Sequence, residues 1–168
     1  MFEIGPTARP RRRRLRLPGF DYAQPSWYFV TLCTKDRVCL LGEVRDGRVS
    51  LSPTGSIVGQ AWVQMPEHNP GMTIDDFVMM PNHLHALVLL EEGASPLPDI
   101  MRRFKSFTTN AVNRTIYPPP GHLWQRSYHE HIVRHERRLD RIREYIAINP
   151  LKWDADRENP NRRRVTAV

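Results

Sequence analysis

With 168 residues, 40% hydrophobic and 26% charged, the chain reads as a soluble globular protein with room for one well-buried core rather than two. No apolar run approaches the roughly 18 residues that cross a bilayer, and the arginine-rich start has no apolar stretch behind it to make a secretory signal. Lys+Arg 25 against Asp+Glu 18 leaves a net charge of +7, a balance that draws polyanions and points to nucleic acid ahead of an acidic membrane.

In chain order, residues 1–25 mix Pro and Arg and are expected to form a basic flexible arm. Six arginines, including Arg11, Arg12, Arg13 and Arg14, fall within residues 9–16, suited to phosphate contacts without base selectivity. Trp27 to Thr34 is aromatic and β-branched, a strand. Cys33 and Cys39 lack CxxC spacing and read as reduced thiols of a cytoplasmic protein, with neither a zinc site nor a disulfide. A second strand signal, Arg48 to Leu51, follows the turn at Asp46-Gly47. Ser52-Pro53 then caps a helix whose face carries Ile57, Val58, Ala61, Trp62 and Met65, with Pro66 closing the run.

Residues 73–80 and 83–90 read as strands joined by a tight Pro81-Asn82 turn. The second is apolar on both faces apart from its histidines, as a central strand covered on both sides would be. Leu97, Ile100, Met101, Phe104, Phe107, Ala111 and Val112 mark a long amphipathic helix. Its polar face, with Arg102, Arg103 and Lys105, is a candidate phosphate contact. A strand near Tyr128 to Val133 and a last helix over 135–149, ended by Pro150, complete the order. The alternation predicts an α+β fold: a ferredoxin-like antiparallel sheet with helices packed on one face. Residues 26–152 form the predicted catalytic domain, and 153–168 a basic C-terminal tail.

The chemistry lies in Pro81-Asn82-His83-Leu84-His85. Residues two apart on a strand share a face, so His83 and His85 point side by side toward one divalent ion while Leu84 enters the core. The competing reading is two half-buried histidines hydrogen-bonded to neighbours. On the last helix, Arg138, Arg141, Tyr145 and Asn149 fall on a common stripe beside the apolar one of Leu139, Ile142 and Ile146. A tyrosine flanked by an amide and two arginines suits attack on a phosphodiester; alone it would read as a core tyrosine with its hydroxyl at the surface.

Taken in order, Trp27-Tyr28-Phe29-Val30-Thr31, Met80-Pro81-Asn82-His83-Leu84-His85, Leu123-Trp124-Gln125-Arg126, His131-Ile132-Val133-Arg134 and Tyr145-Ile146-Ala147-Ile148-Asn149-Pro150 resemble the HUH single-tyrosine transposases, and within them the REP-associated tyrosine transposases of bacteria. The resemblance implies a metal-dependent single-stranded DNA endonuclease and strand transferase that forms a 5′-phosphotyrosine intermediate. It implies Tyr145 as nucleophile, with Asn149 joining His83 and His85 around the metal. Tyr128 is the rival nucleophile, in a segment whose alternation would bury it. His129-Glu130-His131 repeats the spacing with a carboxylate in the middle and reads as structural, or as an outer contact around the DNA.

The expected ion is Mg²⁺ or Mn²⁺. The expected partner is single-stranded or hairpin DNA with short palindromic repeats, in a cytoplasmic, nucleoid-associated protein, monomer or homodimer, with no membrane partner. Replication initiators and relaxases usually bring longer chains. A catalytically inactive ferredoxin-like DNA-binding repressor is the alternative from another class.

Overall fold

The computed structural model describes residues 24–162. Among them the arm's Arg11, Arg12, Arg13 and Arg14 do not fall, so those expectations lie outside the described residues.

The strands β1 (Ser26–Cys33), β2 (Gly42–Arg45), β3 (Arg48–Leu51), β4 (Met72–Met80), β5 (His83–Leu90) and β6 (His129–Val133) make two sheets. The main sheet runs β4-β5-β1-β6, antiparallel throughout, and β2 pairs with β3 alone. Asp46 and Gly47, which turn that hairpin, both have positive φ (49° and 69°), the geometry an Asp-Gly pair favours there. The helices are α1 (Pro53–Val63), α2 (Met65–His68), α3 (Leu97–Thr115) and α4 (Glu136–Ile148), and a 3-10 helix follows over Pro150–Ala155. Ser52 caps α1 as its sequence suggests, its hydroxyl accepting the Gly55 N–H at 3.0 Å. With the β2–β3 hairpin and α2 set aside, β1-α1-β4-β5-α3-β6 in this strand order is the expected ferredoxin-like arrangement.

Strand alternation divides the sheet chemically. Tyr28, Val30 and Leu32 of β1 and Leu84, Ala86, Val88 and Leu90 of β5 point to one face. There they form a single buried cluster with Trp62 of α1 and Ile100, Met101 and Phe104 of α3. Trp62 and Phe104 meet edge to face, ring centroids 5.1 Å apart. Full burial of each large side chain here contributes roughly 1.5–3 kcal/mol, which makes this face the main source of stability.

Two expectations change on this side. Pro66 does not end the helical run, because it fits the first turn of α2, where no N–H is required. Phe107 is 63% exposed, and Thr108 takes the buried position. Its hydroxyl is satisfied there by donating to Phe104 O at 2.8 Å and accepting from Trp124 Nε1 at 2.9 Å.

The larger departure concerns α4. The helices do not share one face: Leu139, Ile142 and Ile146 pack on the opposite side, with Leu87, Val133, Trp27, Phe29 and Val78. The reason is steric, since α1 and α3 already cover the other side and the stripe of α4 finds uncovered apolar surface on the face that carries Trp27, Phe29, Val78, Leu87 and Val133. Arg143 fixes the helix laterally, its Nε donating to Asp75 Oδ2 at 2.8 Å beside an irregularity in β4. Among the described residues, no helix is long and apolar enough to cross a membrane.

Candidate active site

His83 and His85 rise from β5 onto the α4 face, ring centroids 4.4 Å apart. Their orientations are set from behind. Asn82, wholly buried in the turn before β5, donates through Nδ2 to Arg37 O at 2.9 Å and to Glu158 O at 2.7 Å. Its amide oxygen can therefore only accept, and it lies 2.9 Å from His83 Nδ1. The His83 proton thus sits on Nδ1, leaving Nε2 as a bare lone pair. That Nε2 is buried and has no hydrogen-bond partner. His85 is held in the same way, its Nδ1 2.8 Å from Thr31 Oγ1. Burial, partly offset by the Asn149 amide, lowers the His83 pKa to about 4. Burial and the neighbouring His83 lower that of His85 to about 3, with Asp156 opposing. Both imidazoles are neutral at pH 7, the form that binds metals.

From the facing helix, Tyr145 places its hydroxyl 3.3 Å from His85 Nε2. Phe29 is the wall of this arrangement, stacked on His85 at 5.3 Å and edge-on to Tyr145 at 5.9 Å. Tyr145 is 41% exposed, so the residue is partly open to solvent. Burial of the rest of the ring and the charge of Asp156 push the phenol pKa up, against the Asn149 amide.

One turn on, Asn149 closes α4. It is buried, and its Oδ1 has no hydrogen-bond partner. Buried polar atoms are nearly always paired, so two orphaned acceptors in one pocket, His83 Nε2 and Asn149 Oδ1, call for a cation. A donor set of imidazole nitrogens and an amide oxygen could hold a divalent ion. An acidic group is also present: ligand atoms of His83, His85 and Asp156 lie within 4.8 Å of one another. Sequence reasoning did not name Asp156. It is one of three acids, with Asp154 and Glu158, between Trp153 and Asn159, and only the fold singles it out.

The expected DNA contacts divide between the two faces. Arg138 and Arg141 are exposed on α4, the same helix as Tyr145, with Arg138 Nη1 3.0 Å from His131 Nε2. Arg102, Arg103 and Lys105 belong to α3, across the sheet, and are not brought to the histidines. Arg102 pairs with Asp99 at 3.2 Å and Arg103 donates to Asn69 Oδ1 at 2.9 Å. Lys105 turns its ammonium inward to the carbonyls of Gln125 and Arg126, and burial lowers its pKa. Tyr128 is buried in the cluster beneath α1 and α3, on the far side of the sheet from both histidines.

The sequence profile of the family described as IS200-like transposases matches residues 27–149, from the first strand to Asn149. A Haemophilus influenzae (strain Rd) protein of uncharacterised function is 35% identical, over 86% of this chain and 91% of its own length. A second protein of that strain, named as a candidate REP-associated tyrosine transposase, is 26% identical over 79% of this chain and 74% of its own. Among solved structures, a REP-associated tyrosine transposase bound to a REP hairpin superposes with a TM-score of 0.62 at 22% identity, covering 87% of this chain and 74% of that one.

Proposed function

The chain belongs to the IS200-like transposase family, and on that premise we propose that it nicks and rejoins single-stranded or hairpin DNA through a 5′-phosphotyrosine formed on Tyr145. The observation that carries this reading is the hydroxyl of the partly exposed Tyr145, 3.3 Å from His85 Nε2 in a pocket with two orphaned buried acceptors.

His83, His85 and Asn149 would hold a divalent ion, Mg²⁺ or Mn²⁺, which when bound supplies positive charge to the non-bridging oxygens of the scissile phosphate. Tyr145 Oη attacks phosphorus, forming the P–Oη bond as the bond to the 3′ oxygen breaks. The phenolic proton is lost to solvent, and the departing 3′ oxygen takes up a proton to become a free hydroxyl. The phosphodiester energy is kept in the covalent intermediate for rejoining. Phe29 fixes the phenol ring against His85, restricting the angle of attack.

Arg138 and Arg141, on the same helix as the nucleophile, are the first contacts for backbone phosphates. The arginines of residues 9–16 would follow a hairpin stem. Arg102, Arg103 and Lys105 would serve only a substrate that wraps around the sheet edge. This activity belongs in the cytoplasm, at the nucleoid. Labelled hairpin DNA incubated with the protein and Mn²⁺ should give a covalent adduct on a denaturing gel. Retarded but unmodified DNA would favour the inactive repressor.

A further inference from the structure

After Asn149 the chain does not leave the domain. It runs through the 3-10 helix Pro150–Ala155 and turns beneath the histidines, with the Trp153 ring 6.1 Å from that of His83. Three contacts pin this turn. Glu158 O accepts from Asn82 Nδ2 at 2.7 Å, and Glu158 Oε2 pairs with Arg37 Nε at 2.6 Å and accepts from Cys33 Sγ at 3.6 Å. Within the turn, Asn159 Nδ2 donates to Trp153 O at 2.9 Å. Asn82 therefore does two things with one amide: its oxygen orients His83 and its nitrogen seats the turn.

The product of this bracing is the position of Asp156. Its Oδ1 accepts the Glu158 N–H at 2.7 Å, which restrains the carboxylate and still leaves it lone pairs for a cation. A carboxylate oxygen thereby lies within 4.8 Å of ligand nitrogens of both histidines. The orphaned His83 Nε2 and Asn149 Oδ1 point independently to a cation in the same pocket.

We propose that Asp156 is the charged ligand of this metal centre, joining His83, His85 and Asn149, so that one ion ties strand β5, the end of α4 and the C-terminal turn into a single shell. The proposal rests on the metal reading above and extends it to a residue and a segment which that reading does not use. Two consequences follow. A carboxylate shifts preference toward hard ions such as Mg²⁺ and Mn²⁺, whereas imidazole and amide alone leave the site open to softer ones. Ion binding also stabilises residues 150–162 by linkage, since the turn contributes a ligand only when seated.

The test uses the full chain without DNA. Mn²⁺ and Zn²⁺ are titrated calorimetrically into wild type, Asp156→Asn, Asp156→Ala and His83→Ala, with hydrogen exchange followed across residues 150–162. Asp156→Ala guards against an asparagine oxygen serving as substitute ligand. The expected result is a loss of Mn²⁺ affinity in Asp156→Ala beyond the roughly 100-fold that an outer-shell partner is worth. Zn²⁺ affinity should fall less, and Mn²⁺ should no longer slow exchange in the turn. Mn²⁺ affinity within about threefold of wild type, with His83→Ala losing it, would remove Asp156 from the shell and leave the metal reading intact. Equal, modest losses for both ions with the turn still protected would likewise overturn the proposal, making Asp156 a positioning residue. Undiminished Mn²⁺ binding by His83→Ala would bring down the metal reading itself.

Discussion

Leu84 and His85 are adjacent on β5, and the two environments they enter differ in kind. Leu84 is fully buried among side chains that need nothing but contact. His85 enters a pocket where ring nitrogens, a phenol, an amide and a carboxylate converge and two acceptors have no partner. One face of the sheet therefore carries stability, and the other holds costly buried polar groups in place because the first face can support them. Substitutions on the two faces should then fail in different ways.

The largest effect is expected from Tyr145→Phe. Phenylalanine keeps the ring against Phe29 and His85 and removes only the attacking oxygen. Cleavage of hairpin DNA should fall by on the order of 10⁴-fold or more, with DNA affinity and unfolding midpoint nearly unchanged. Residual covalent adduct on a denaturing gel would show that another group is the nucleophile.

Next comes a pair of substitutions one residue apart. Leu84→Ala should cost about 2–5 kcal/mol in urea unfolding through the cavity it leaves, while the surviving folded fraction keeps its metal affinity. His83→Ala should cost less, because relief of the unsatisfied Nε2, about 1–3 kcal/mol of desolvation penalty, offsets the Asn82 Oδ1 left without its donor, and the packing lost with one imidazole is smaller than the cavity left by Leu84. It should nevertheless abolish the rise in melting temperature on adding Mn²⁺. If the two variants proved equally destabilised and equally deaf to Mn²⁺, the division of labour between the faces would be wrong.

Much of this division was legible in the sequence. The alternation of His83, Leu84 and His85 set opposite destinations for neighbours, and the offset of Tyr145 and Asn149 from the Leu139–Ile142–Ile146 stripe put them beside apolar contacts rather than in them. Which face α4 would take was not legible, because its apolar stripe suits either side and the choice falls to whichever surface α1 and α3 leave uncovered. Phe107 and Thr108 show the same limit within one helix, since only Trp124 and its indole N–H make the threonine the better buried residue. Asp156 was hidden by sequence distance and by the neighbouring acids Asp154 and Glu158, for its meaning depends on Asn82 and Arg37, both far earlier in the chain.

A smaller effect should appear in the pH dependence of the metal-free protein. His83 and His85 have folded pKa values near 4 and 3, below the ordinary 6.5 of the unfolded chain. Between those limits the unfolded state binds more protons than the folded one, so stability is present in full above pH 6.5 and is lost as pH falls through 4 toward 3. Urea midpoints measured across that window should slope downward for wild type and flatten in His83→Ala/His85→Ala. An equally steep double variant would place the acid sensitivity elsewhere, away from the polar face.

The smallest effect concerns Cys33, which stands opposite His83 in the β1–β5 register and contacts Glu158 of the C-terminal turn. Burial first, then the Glu158 charge and hydrogen bond, push its thiol up to about 12. At pH 8 the thiolate fraction is then on the order of 10⁻⁴, so alkylating reagents should find Cys39, which is exposed, and spare Cys33. In a Cys39→Ser background the protein should resist labelling until Glu158→Ala removes the acceptor, the charge and the tie to Arg37 together. Catalysis need not change for this readout to move, which separates the seating of the turn from the chemistry above it. Rapid labelling of Cys33 with Glu158 intact would mean that the turn spends much of its time unseated, and that the polar face is more open than its hydrogen bonds imply.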